Sequence, residues 1–80
     1  MTRQEIIEGL TLIFRDVFKD ANLQLTESMT ANDVERWDSL THMLMINEVE
    51  KKFEVKFKLK DLNKMKNVGS LIEILEERVK

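Results

Sequence analysis

Apolar residues recur at a helical period in three stretches of this chain, and an aperiodic run of 18 residues parts the first stretch from the second. A fold for the chain must therefore bury three helical stripes together while carrying a long excursion between two of them. The first stripe is Ile6, Leu10, Ile13 and Val17, widened by Ile7, Phe14 and Phe18. Thr2-Arg3-Gln4-Glu5 precedes it as a capping box, in which the Thr2 hydroxyl accepts from the Glu5 amide and Glu5 reaches back. The spacing predicts a first helix over about residues 3–19. Gly9 lies inside it, at a cost of about 1 kcal/mol relative to Ala. A second pattern starts at Asp38-Ser39, with His42, Ile46, Val49 and Phe53 on one face. Leu40, Leu44, Asn47 and Lys51 follow the same spacing on another face, and Met43 adds to the apolar start of that face. An apolar patch outside the core stripe points to a partner surface. In the last stripe, Asn67 caps a helix whose Val68, Leu71, Ile72, Leu75 and Val79 face inward.

Residues 20–37 are rich in Asn, Thr, Ser and Asp and read as a long loop pinned by Leu23, Leu25, Met29 and Val34. Val55, Phe57 and Leu59 alternate with Lys56, Lys58 and Lys60, a strand-like period. A lone strand has no partner, so this stretch reads as an extended connector into a short helix near 59–65. The chain has no proline and only two glycines, which disfavours the turn-rich all-β classes. The expected fold is all-α: a four-helix bundle of three main helices plus a short third helix, with a long loop between helices 1 and 2. Residues 1–80 form a single domain in this reading.

Eighty residues rarely enclose a complete active site, because walls, water exclusion and supporting contacts all need chain. Small chains more often bind, present or carry something. With no cysteine, disulfides, thiolate chemistry and zinc–thiolate sites are excluded, and a single histidine, His42, excludes a histidine-rich metal site. No apolar run approaches the roughly 20 residues that span a bilayer. The start of the chain has no basic-then-apolar secretory pattern, so a cytoplasmic, monomeric protein without membrane insertion is expected.

Trp37-Asp38-Ser39-Leu40, after a long loop and opening an amphipathic helix, resembles the phosphopantetheine attachment site of acyl carrier proteins. The tripeptide Asp-Ser-Leu alone is a weak signal. Its setting strengthens it: a leading helix, a long loop, the motif at a helix start, a short third helix and a closing helix. Phe53 and Asn67-Val68-Gly69-Ser70-Leu71 also sit where that family has similar residues. The resemblance implies that a phosphopantetheinyl transferase (holo-acyl-carrier-protein synthase), with magnesium, moves 4′-phosphopantetheine from coenzyme A onto the Ser39 hydroxyl. It further implies an arm whose thiol holds acyl groups as thioesters for acyl-activating, acyltransferase or ketosynthase partners. The cofactor residues are then Ser39, Asp38 and Leu40, and the chain carries rather than catalyses. The residues agree with this. A serine in the first turn of a helix places a phosphodiester beside unsatisfied N–H groups, and Asp38 as N-cap fixes where the helix begins.

The chain also departs from the family. Many carriers have Gly or a small aliphatic residue where this one has Trp37. Its ring either pins the loop onto the bundle or flanks the arm, and pinning is the commoner use. Carriers of the fatty-acid type present a strongly acidic second helix, whereas the outward positions here are Thr41, Leu44, Asn47, Glu50 and Lys51, with Glu50 alone acidic. Together with Leu40 and Met43 these are the expected docking residues. They point away from ordinary fatty-acid synthesis and toward a specialised lipid, polyketide or polysaccharide-modifying pathway. Met45, Ile46, Val49 and Phe53 are candidates to line an acyl-chain site within the bundle, although side chains at such positions are more often plain core.

Other readings compete with carriage of an acyl group. An aminoacyl or peptidyl carrier uses the same serine and arm, while a helical interaction module needs no cofactor. His42 follows Ser39 by three residues, which suggests a nucleophile–base pair, but a hydrolase also needs an oriented base and an oxyanion hole. Residues 51–66 hold seven lysines against Glu54 and Asp61, so this stretch carries +5 while the whole chain carries −2. Such a stretch can bind nucleic acid. Phe53 and Phe57, however, fit the core pattern better than a stacking platform, and a solvated face or a patch for an acidic partner is the expectation.

Overall fold

The computed structural model describes residues 1–79 and contains four helices, with no strand among the described residues. They are α1 (Arg3–Val17), α2 (Ser39–Phe53), α3 (Leu59–Asn63) and α4 (Val68–Arg78). The all-α four-helix bundle expected from periodicity is what the chain forms. None of the helices is long and apolar enough to cross a membrane.

Helix α1 starts at the expected capping box: Thr2 Oγ1 accepts from the Glu5 N–H at 3.1 Å, and a Glu5 carboxylate oxygen accepts from the Thr2 N–H at 2.8 Å. It ends at Val17, two residues before the expected end, because Lys19 takes a left-handed conformation with φ 55°. Phe18 stays buried just past the helix end. The α1 stripe packs against both α2 and α4. Ile6, Leu10 and Phe14 meet Met45, Ile46 and Val49 from α2 and Val68, Leu71 and Leu75 from α4 in one core. Each such side chain contributes about 1.5–3 kcal/mol by leaving water. Ile74 is buried as well, outside the stripe expected for α4, and Val79 is only half-buried.

The loop is pinned as anticipated, with Leu23 and Val34 buried and Leu25 and Met29 packed against the core. Its backbone does more than its side chains suggest. The Val68 and Gly69 N–H groups, free at the start of α4, donate to the Met29 and Glu27 carbonyls at 2.9 and 2.8 Å. A Cβ on Gly69 would fall 3.1 Å from the Glu27 carbonyl oxygen, so glycine permits this approach. Asn67 completes the start of α4 by accepting from the Ser70 N–H at 2.8 Å.

Helix α3 ends at Asn63, shorter than the expected 59–65. It is held by a buried acid that periodicity does not reveal. Asp61 accepts from the Lys58 N–H at 2.9 Å and pairs with Arg78 of α4 at 2.5 Å. The Lys58 backbone bond foremost, and then Arg78, keep its carboxyl below the usual carboxylate range. Phe53 is buried and Phe57 packs against the core, so neither presents a ring for base stacking.

Gly9 has a packing reason rather than a propensity cost alone. A Cβ there would lie 2.8 Å from Phe53 Cζ and 3.1 Å from Lys52 Cε. Its absence lets the α2 ring close against α1. Gly9→Ala is therefore expected to lower unfolding free energy by about 1 kcal/mol, overpacking of about 1–3 kcal/mol outweighing the roughly 1 kcal/mol gained in helix propensity. Urea titration of Gly9→Ala alone and combined with Phe53→Leu checks this: the smaller side chain should remove the penalty, and a stabilised single variant would contradict the close-contact account.

Candidate functional site

The start of α2 is built by a reciprocal cap. Asp38 adopts extended backbone, and its Oδ1 accepts from the Thr41 N–H at 3.0 Å. Thr41 Oγ1 in turn accepts from the Asp38 N–H at 2.8 Å and donates to the Arg36 carbonyl at 2.7 Å. The bond from the Thr41 backbone is the main reason that the Asp38 carboxyl lies below its ordinary range, so the cap is ionised at neutral pH. The cap sets Ser39 as the first residue of α2, with its side chain exposed. Leu40 follows and is 71% exposed.

Trp37, directly before the cap, is the link between loop and bundle. Its ring stands edge-on to Phe14 at 5.3 Å and tilted against Phe18 at 5.5 Å. The indole and the His42 ring lie nearly parallel, their planes 13° apart and their centroids 6.0 Å apart. Trp37 Nε1–H donates to His42 Nδ1 at 3.0 Å. The pinning role expected for Trp37 is thus what its contacts show, and the same residue also lines the groove beside Ser39.

That groove encloses about 520 Å³ and is bounded by Ala31, Trp37, Asp38, Ser39, His42, Met43, Met65 and Lys66. It brings the loop, the start of α2 and the α3–α4 link to one place. Lys66 and Met65 were not anticipated as site residues, since only the tertiary fold returns the link to Ser39. Met43, Met65 and the indole supply apolar wall to this groove, and Lys66 supplies positive charge.

Two of the expected docking residues have other work. Thr41 is spent on the cap, half-buried and bonded to Arg36 and Asp38, rather than pointing outward. Glu50 accepts from the Phe57 N–H at 2.8 Å, so the one acid expected on this face is tied to the connector. Leu40, Met43, Leu44, Asn47 and Lys51 are exposed as expected, with Leu44 and Met43 each close to half accessible. The four candidates for lining an acyl chain, Met45, Ile46, Val49 and Phe53, are packed core side chains.

The His42 ring is unsuited to act as a base toward Ser39. With Nδ1 accepting from the indole, the neutral imidazole carries its proton on Nε2 and has no free lone pair to offer. Burial holds the His42 pKa below its ordinary value of 6.5, favouring that neutral form in the fold. The unfolded chain therefore binds more protons as pH falls through 6.5, and the His42 contribution to stability, present above that pH, is lost below it. Depressed carboxyls such as Asp38 and Asp61 lose their contribution only at lower pH, below about 4. The urea midpoint, followed by Trp37 fluorescence, is expected to fall between pH 7.5 and 5.5. His42→Gln, which keeps an acceptor but does not titrate, should flatten that fall, and an equal slope in both proteins would contradict it.

No protein-family model matches this chain, and no curated protein matches it either. Among solved structures, it is similar to the solution NMR structure of a holo acyl carrier protein from Geobacter metallireducens. The two share 42% sequence identity and a TM-score of 0.86, over 91% of this chain and 84% of that one. With its Asp-Ser-Leu opening α2 and likeness of this extent in both sequence and fold, the chain belongs to the acyl carrier protein family, as a carrier and not an enzyme.

Proposed function

We propose that Ser39 is the attachment point of 4′-phosphopantetheine and that residues 1–80 act as one carrier domain. The observation that carries this reading is the exposed Ser39 at the first position of α2, fixed by the Asp38–Thr41 cap and opening onto the groove of about 520 Å³. In the loading step the Ser39 oxygen forms a bond to the pantetheine phosphorus of coenzyme A. The phosphorus–oxygen bond to 3′,5′-ADP breaks, 3′,5′-ADP leaves, and the serine proton passes to the phosphopantetheinyl transferase with magnesium present. When bound, the arm supplies the thiol that the chain lacks and holds acyl groups as thioesters. Asp38 orients the helix start, and Leu40 offers a grip at the base of the arm.

The pathway proposed is a specialised one, in lipid, polyketide or polysaccharide modification. Its support is the α2 face itself: Leu40, Met43, Leu44, Asn47 and Lys51 present apolar and basic groups, and Glu50 is engaged by the connector. Charge patterns of this kind act mainly on encounter rate and partner choice. The acyl-activating, acyltransferase or ketosynthase partners of this carrier would then meet an apolar rather than an acidic helix. The corresponding compartment is the cytoplasm.

Intact mass before and after incubation with coenzyme A, magnesium and a promiscuous phosphopantetheinyl transferase tests the attachment. A gain of one phosphopantetheinyl group is expected in the wild type and none in Ser39→Ala. A folded wild type that gains no mass removes the reading, and hydrolysis of a model ester lost in both Ser39→Ala and His42→Ala would replace it.

A further inference from the structure

The groove beside Ser39 contains one hydrogen-bond donor of fixed identity. An indole N–H only donates, so its 3.0 Å contact makes His42 Nδ1 an acceptor and leaves the ring proton on Nε2. Among the described residues, only Nδ1 of this ring is engaged. The bond to Trp37, made with the two rings nearly parallel, restrains the ring plane, and the Phe14 and Phe18 contacts restrain Trp37. His42 lies three residues after Ser39, so their Cβ atoms stand about 5–6 Å apart on one side of the helix. Both side chains line the same groove.

We propose that His42 Nε2–H donates a hydrogen bond to the phosphodiester carried on Ser39, and that Trp37 is the positioning residue that sets the tautomer. This rests on the attachment reading above. The phosphoryl oxygens stand two bonds beyond Ser39 Oγ, in the groove that His42 also lines. The charged groups that share the groove with His42 are Asp38 and Lys66. Asp38 is occupied by the Thr41 N–H, and Lys66 sits on the α3–α4 link, where it supplies charge without a fixed direction. His42 therefore supplies direction: a neutral, oriented donor that holds the root of the arm against the apolar wall of Trp37, Met43 and Met65.

A phosphodiester anion within hydrogen-bond reach favours the imidazolium, so attachment should raise the His42 pKa. His42 is the single histidine and Trp37 the single tryptophan, so both rings give unambiguous signals in NMR spectra. The experiment is titration of the His42 ring by long-range proton–nitrogen spectra in the apo protein and in holo protein verified by intact mass. The neutral ring is expected as the Nε2–H tautomer in both forms, with a midpoint higher in the holo form by on the order of half a unit or more. In Trp37→Phe the tautomer preference should be lost and the holo rise should shrink by at least half. Should that variant lose its helical circular dichroism, the wild-type titration decides alone. A verified mass gain with an unmoved midpoint, or an Nδ1–H ring, overturns this inference and leaves attachment standing. Absence of any mass gain overturns both.

Discussion

The position of Ser39 depends on the Trp37 ring, held between Phe14 and Phe18 at the end of α1 and the His42 imidazole of α2. Ordering backbone costs about 1–2 kcal/mol per residue, and the loop between α1 and α2 has few buried side chains to offset it. Aromatic pairs add about 0.5–1.5 kcal/mol each beyond their burial, and Trp37 makes three ring contacts at the loop's last turn. Because Trp37 directly precedes the Asp38 cap, anchoring the ring also fixes where α2 begins. The loop's other anchor is its Glu27 and Met29 carbonyls, which accept from the Gly69 and Val68 N–H groups at the open start of α4. Loop and bundle thus complete each other: the loop caps one helix and launches another.

How much of this is legible in sequence follows from the range of each interaction. Helix starts are local, and the Thr2–Glu5 box, the Asp38 cap and the Asn67 cap all read directly from neighbouring residues. Stripes are periodic and gave the core faces of all three main helices. The contacts that escape notice join residues with no fixed spacing. Asp61 meets Arg78, 17 positions away, and Met65 and Lys66 reach Ser39 only through the whole fold. Two helix ends escape for another reason. Lys19 and Glu54 take left-handed conformations usually marked by glycine, so the turns they make carry no residue signature. Thr41 was misplaced because its helical position looks outward, whereas its hydroxyl closes the cap.

The charge distribution looks different once positions are known. The seven lysines of residues 51–66 are all exposed, while Phe53 and Phe57 turn inward. Near Ser39 the chain contributes Lys66, and at the far end of the outward α2 face it contributes Lys51. Between them lie Leu40, Met43 and Leu44. The Glu50 carboxylate accepts from the Phe57 N–H, so Leu40, Met43 and Leu44 are the exposed apolar groups that lead from Ser39 along α2.

A serine hydrolase needs a base beside its nucleophile, and His42 stands one helical turn from Ser39. Its Nδ1 lone pair, however, is held by the Trp37 indole, and its Nε2 position carries the proton. Burial then disfavours the charged ring in the folded protein. The same hydrogen bond that secures the loop therefore disarms the imidazole as a base and leaves it only a donor. A ring in that state can donate to an anion but cannot take the Ser39 proton, which sets Trp37 and His42 apart from the support of a nucleophile–base pair.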